Sequence, residues 1–384
     1  MLNRLVLTWL AIELVDELVF AVQDSALPLI RADFGLSYAA IGLLLSVPAV
    51  AANLIEMPVG LLADGPRRSR LVVGGGILFT AALIAVVVSQ GFGWLLIAFS
   101  VLYPASGAFV FLSQADLMDS APARREQNMA RWTLAGSIGA LAGPAILATA
   151  VFAGAGWRAA YIACAAIAGA ALISRAFSPP PPHAAEAPGV GFRESVIAAV
   201  RSLARRDVLG GLLLLEVSDL LLDVLTGYLS LYFVDVLHQP VWFGAVVVAV
   251  RVASNLVGDV VSVNILERVA GTSYVRVTAA AAAFAYAGVL LVPDVWLKLA
   301  LVAVLSVLTA GWYPVLQARV YHALPGQSGA LLAIGNVVRV VSTPLALVVG
   351  LAASRFGLSA ALWMLIVSPV LIALLTRRRD QETA

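Results

Sequence analysis

Along this chain the charged positions come in short clusters, and between them run long stretches built almost entirely of Leu, Val, Ala, Ile and Gly. A helix that crosses the hydrocarbon of a bilayer needs roughly 20 mainly apolar residues. Stretches of that length recur from end to end. Their hydropathy predicts spans over 5–30, 38–62, 70–89, 93–118, 129–153 and 158–177, and a second set over 208–234, 241–264, 275–292, 296–321, 329–352 and 358–376.

Composition sharpens this picture. The chain is 61% hydrophobic and 12% charged, against about 25% charged in a soluble domain, and its mean hydropathy is +0.97. No loop is long enough to hold a soluble domain. The first apolar segment carries several carboxylates and no small-residue cleavage site follows it, so it reads as the first span and not as a leader.

The single cysteine, Cys164, excludes an internal disulfide and a thiolate metal site, and His183, His238 and His322 are too scattered to hold a metal. There is no phosphate-binding glycine loop, no Gly-x-Ser-x-Gly and no His-Glu-x-x-His. Neither ATP drive nor hydrolysis is indicated, so no enzyme, cofactor or nucleic-acid partner is expected.

Cytoplasmic loops are enriched in Lys and Arg, which tests the number of spans. One set of alternate loops holds Arg4, Arg67, Arg68, Arg70, Arg124, Arg125, Arg175, the arginines of 193–206, Arg268, Arg276 and Arg377 to Arg379; the opposite set holds Arg31, Arg158, Lys298 and Arg355. A missed helix would scramble that asymmetry. The reading is an all-α integral membrane protein of twelve transmembrane helices, in a cell (inner) membrane, with both termini cytoplasmic. Residues 1–177 and 207–384 each supply six helices. The intervening 178–206 opens on Ser178 and four prolines, a stiff linker, and continues as an amphipathic, Arg-rich helix on the membrane surface.

The two sets resemble each other. Glu13-x-x-Asp16 returns as Glu216-x-x-Asp219 at a shift of 203, Gly42 and Asn53-Leu54 as Gly244 and Asn255-Leu256 at 202, and Pro144 as Pro344 at 200. An ordered series at nearly one shift marks two parallel six-helix repeats, which place a substrate site between the halves near the membrane midplane.

With these residues in view the chain resembles the major facilitator superfamily. Gly60-Leu61-Leu62-Ala63-Asp64-Gly65-Pro66-Arg67-Arg68 is similar to that family's signature after helix 2, departing from it at Gly65 and Arg67. The resemblance implies that Gly60, Asp64 and Arg68 form a conformational latch between the halves. Gly139-x-x-x-Gly143-Pro144 resembles the core of the family's proton-antiporter motif, without the paired glycines that follow it there, and the same spacing also suits plain close packing of helices. Phe34 to Gly42 and Leu324 to Gly329 look like the fosmidomycin-resistance branch.

Charges inside the spans carry the candidate chemistry. At 100° per residue, Glu13, Asp16, Glu17 and Asp24 fall at about 0°, 300°, 40° and 20°, and Glu216, Asp219 and Asp223 at about 0°, 300° and 340°. One mid-membrane carboxylate costs roughly 2.5–3.5 kcal/mol even on the lenient insertion scale, so these faces look onto a wet cavity and not onto lipid. Arg251 and Arg339 are the basic groups nearest mid-depth, available to substrate or to the carboxylates as salt-bridge partners. Asp116 and Arg319 occupy equivalent places in spans 4 and 10, which opens an ion pair between the halves.

The expectation is a secondary transporter, moving a small-molecule substrate against protons and functioning as a monomer in the lipid bilayer. Export of amphiphilic molecules leads, with proton-coupled metabolite uptake and a non-transporting receptor on the same fold as alternatives. The topology is directly testable. A cysteine placed near Pro181 should react with a membrane-impermeant reagent only after the cytoplasmic side is opened; labelling in intact cells would overturn the span count and the orientation together.

Overall fold

The computed structural model describes residues 4–62, 67–121, 124–178, 206–323, 338–340 and 342–380. Asp64 and nearly all of the linker, 179–205, lie outside them. The chain folds into two compact units, Met1–Phe192 and Arg193–Ala384. Among the described residues every regular element is helical.

The first unit contains α1 (Arg4–Phe34), α2 (Tyr38–Leu62), α3 (Arg68–Val87), α4 (Phe92–Ser120), α5 (Arg125–Phe152) and α6 (Gly156–Ala176). The second contains α7 (206–236), α8 (Val241–Leu266), α9 (Gly271–Leu291), α10 (295–323, with a turn at 310–311), α11 (Leu345–Phe356, preceded by helical residues 338–340) and α12 (358–380). Ten of these are long and apolar enough to cross a membrane on hydropathy alone. The other two, α1 and α7, carry the acidic clusters, and it is these charges that dilute their hydropathy.

Outward faces are apolar, with Ile77, Leu78, Ile97, Val277 and Phe284 all exposed. An apolar surface of that extent is what lipid covers. Inside the first unit α1 is central. Trp9, Ile12, Val19, Val22 and Leu27 are fully buried, and α1 packs against α5 most extensively, then α6 and α4. Equivalent pairings hold in the second unit, where α9 lies on α10 and α12, α8 on α10, and α7 on α10 and α12.

The α1–α5 contact is built by glycine. A Cβ on Gly139 would lie 2.1 Å from the Leu14 carbonyl oxygen, and one on Gly143 2.7 Å from the Leu18 oxygen and 3.0 Å from the Val22 nitrogen. Backbone touches backbone along this seam. Small residues also set the approach of α8 to α10, since a Cβ on Gly258 would stand 2.7 Å from the Ala310 Cβ and 2.8 Å from the Val307 Cα.

A cation closes one end of each unit. Arg158, at the start of α6, donates to the Val87 and Ser89 carbonyls at 3.2 and 3.1 Å and pairs with Asp33 at 2.5 Å. The buried Lys298, at the start of α10, donates to the Val289 and Leu290 carbonyls at 2.6 and 3.3 Å and to the Tyr232 hydroxyl at 2.9 Å. Each positive charge sits on the carbonyl end of a helix, α3 or α9, where the dipole favours it.

The glycine seam yields a stability prediction. Gly139→Ala should lower the melting temperature by several degrees, because overpacking costs about 1–3 kcal/mol. Gly74→Ala on α3, where an added Cβ meets nothing within 4 Å, should leave melting in detergent unchanged. Equal melting of the two variants would show that the seam is not tight.

Candidate functional site

In the first unit α1 holds its carboxylates against α5, α4 and α2. Glu13 is buried, and its Oε1 lies 2.7 Å from where a Cβ on Gly136 of α5 would stand. One turn on, Asp16 accepts a 2.7 Å hydrogen bond from the Ser106 hydroxyl of α4. Glu17 is exposed, and Glu56 of α2 lies over Gly107 of α4, with its Oε1 2.6 Å from a Cβ built there. Glu13 lies within electrostatic range of Asp16 and Glu17, and Asp16 within range of Glu17 and Glu56. Ion pairs in this unit join Arg68, Arg158 and Arg175 to Asp33, Asp116 and Asp119; among the described residues none reaches Glu13 or Asp16.

Asp24, two turns further along α1, stands apart from this group and faces the neighbourhood of Tyr161. Beside it Gln23 donates to the Tyr103 hydroxyl at 2.7 Å, and Phe20 packs edge-on against the same ring at 5.0 Å.

In the second unit α7 is interrupted. Leu220–Val224 and Tyr232–Val236 are π-helical turns, and the first contains Asp223. A π turn shifts the hydrogen-bond register and frees backbone groups for other partners. Here the Leu222 carbonyl accepts from the Arg251 guanidinium of α8 and, at 2.5 Å, from the Thr226 hydroxyl. Glu216 accepts from the Ser342 hydroxyl at the head of α11, and Asp219 takes a 3.5 Å contact from Ser218. Arg251 and Arg339 lie within electrostatic range of Asp223, and Arg339 also within range of Glu216 and Asp219. The structure thus gathers Glu216, Asp219, Asp223, Arg251 and Arg339 on one side of this unit.

A third cluster ties α3, α4 and α6 together. Arg68 pairs with Asp119 at 2.7 Å and Asp116 at 3.6 Å, and Arg175 pairs with Asp116 at 3.5 Å and donates to Ser69 at 3.0 Å. Arg175 and Asp116 are 1% and 2% exposed, so this is a sealed charge pair. Asp116 therefore has two cationic partners inside its own unit. Of the three residues read as a latch, Asp64 lies outside the described residues and Gly60 closes on the last turn of α2, while Arg68 is held by the α4 carboxylates. Gly139 and Gly143 lie in the α1 seam, and Pro144 follows them within α5.

The Major Facilitator Superfamily profile matches residues 11–347. The chain belongs to the major facilitator superfamily. This superfamily member is similar over its whole length to solved transporters. It matches a bacterial homolog of the human lysosomal transporter Spinster, inward-facing and unoccupied, at a TM-score of 0.77 and 16% identity, covering 98% of this chain and 97% of that one. It matches the nucleoside transporter NupG, as its D323A mutant, at 0.81 and 12%, covering 97% and 99%. No curated protein is detectably similar to it in sequence. At such identities the structural likeness establishes the fold, and with the family match it makes this chain a multi-pass membrane transporter.

Several members of the clusters carry no local signal. Ser106, Gly136, Asp119, Ser342 and Tyr313 are unremarkable in a helical reading, and Glu56 reads as a residue near a helix end. Repeat arithmetic would have found one of them. Glu56 and Gly107 correspond, at shifts of 202 and 203, to Gly258 and Ala310, so each unit keeps a small residue at this crossing but on opposite helices.

The sealed pair sets a prediction. Asp116→Asn strands the buried Arg175 and should destabilise the protein by about 3–5 kcal/mol, the range for breaking a buried ion pair. Asp119→Asn, at a site 38% exposed, should cost under about 1 kcal/mol. Thermal melting of the two variants compares them, and similar losses would mean that Arg175 is satisfied without Asp116.

Proposed function

We propose that this protein is a proton-coupled secondary transporter that exports small amphiphilic molecules by alternating access, with Glu13 and Asp16 as the proton-accepting pair. The observation that carries the reading is their setting. Two carboxylates one turn apart, one of them buried, lie within electrostatic range of Glu17 or Glu56 and, among the described residues, have no cation at ion-pair distance. Ionised carboxylates so crowded repel one another and lose solvation, and taking up a proton relieves both costs. The Ser106 hydroxyl steadies Asp16 through its charged form and fixes where the proton arrives. Acids on a membrane span are otherwise expensive to keep, which favours a role in the transport cycle.

The outward direction is supported by the likeness of Phe34–Gly42 to the fosmidomycin-resistance branch. That segment forms the end of α1, the turn at Gly35 with φ +60°, and the first turn of α2; its companion, Leu324 to Gly329, lies outside the described residues.

The test is transport in proteoliposomes under an imposed pH gradient, read with a panel of fluorescent amphiphiles. Asp16→Asn should reduce uphill transport at least about a hundredfold, the lower end of the 10²–10⁴ scale of a missing proton-transfer group, while substrate exchange without a gradient persists. Glu13→Gln should show the same split more weakly. Intact pH-driven transport with both residues neutralised would remove the coupling assignment.

A further inference from the structure

The two units are repeats, yet their charges differ in kind at matching positions. On α1 and α2 the first unit presents Glu13, Asp16, Glu17 and Glu56. The corresponding residues of the second are Glu216, Asp219, Leu220 and Gly258, and there Phe20 has become Asp223. The bases follow the reverse pattern, since Arg251 replaces Ala49 at the shift of 202, and Arg339 replaces Gly139 at the shift of 200. Where the first unit has a glycine pressed onto backbone, the second has an exposed arginine within a membrane span.

Arg339 donates to the Tyr313 hydroxyl at 3.3 Å and has no carboxylate within 4 Å among the described residues. Glu216, one candidate partner, is already engaged by Ser342. Arg251 is anchored through the Leu222 carbonyl of the π turn and lies near Asp223. Salt-bridge packing alone would bring an arginine of this kind into contact with an acid; among the described residues Arg339 instead meets the Tyr313 hydroxyl, with Glu216, Asp219 and Asp223 only within electrostatic range.

We propose that the face formed by α7, α8 and α11 of the second unit binds the anionic head group of the transported amphiphile, a carboxylate, phosphate or phosphonate, on Arg339 and Arg251, with Asp223 as the internal negative charge that competes with it for their field. This rests on the transport reading above and assigns the substrate's charge. Guanidiniums recognise such oxyanions through paired, charge-assisted hydrogen bonds. Protonation of Asp223 removes the competing negative charge, so anion binding strengthens as pH falls. The charged and titratable groups around Asp223 are Asp219 and Glu216 on its own helix, Arg251 on α8 and Arg339 on α11, with Tyr313 of α10 behind Arg339; α12, which also packs on the π turn, contributes none over 358–376.

Direct binding tests this without transport. The full chain in phosphatidylcholine nanodiscs is titrated with hexanesulfonate, whose charge is constant across the pH range, and with hexyltrimethylammonium, reading the thermal midpoint. Hexanesulfonate should bind more tightly at pH 6 than at pH 8. Arg339→Gln should weaken it at least about tenfold, as loss of a charged hydrogen-bond pair does, and Arg339→Lys by less. Asp223→Asn should tighten it at pH 8 and flatten the pH dependence. Preference for the ammonium probe, or unchanged affinity in an Arg339→Gln protein with wild-type elution, would overturn the proposal. Loss of the response in phosphatidylglycerol discs would give the arginines to lipid head groups and overturn it too. Binding retained in Asp16→Asn, whatever that variant does to coupling, separates failure of this site from failure of the proton assignment.

Discussion

Hydrocarbon offers a charged side chain no partner, and the placement of the acids on the described spans follows from that. A carboxylate on a membrane-spanning helix must find water, a hydrogen-bond donor or a cation inside the protein. The three clusters meet the demand in three ways. Asp116 is sealed between Arg68 and Arg175. The acids of α7 lie among Arg251, Arg339 and Ser342. Asp16 has the Ser106 hydroxyl, and Glu13, one turn away, has no cation at ion-pair distance among the described residues. The first solution makes structure, since removing Asp116 strands the buried Arg175. The last leaves the acids without a compensating positive charge, which is why the proposed proton uptake is assigned to them.

The same constraint explains why α1 and α7 occupy the centre of their units. The face that carries acids must turn inward, and the remaining faces are then free to be apolar, which is how Trp9, Ile12, Val19, Leu221, Leu225 and Phe233 come to be buried. Packing depends in turn on how closely neighbours approach. Glycine at 136, 139 and 143 brings α5 onto α1, and glycine at 107 makes room for Glu56. Small residues thus set the depth at which the acids sit.

Much of this was legible in the chain. Apolar run lengths and the arginine asymmetry marked out twelve spans, and the two acidic faces stood out because charge on a span is rare enough to need a reason. The repeat was readable because it preserved polar residues at one shift. What stayed hidden was tertiary. Nothing local in Leu220–Val224 announces a π turn, for leucines favour a regular helix equally well. Arg175 and Asp116 are 59 residues apart, and only the packing of α6 on α3, with α3 on α4, brings them together. Glu56 lies one helix away from the acids it joins, and its membership depends on a glycine in a third. The family signature marked Arg68 but could not name Asp119 as its partner.

The α1–α5 seam has a mechanical meaning. Between most helices a layer of side chains can shift rotamers and absorb a small displacement, so neighbours slide a little before one drags the other. Along Gly139 and Gly143 that cushion is missing, and the backbones meet directly at Leu14, Leu18 and Val22. Two rods in such contact have almost no backlash. A displacement of α1 near Glu13 or Asp16 would carry α5 with it, so the pair is built as a stiff lever with the acidic groups in its arm.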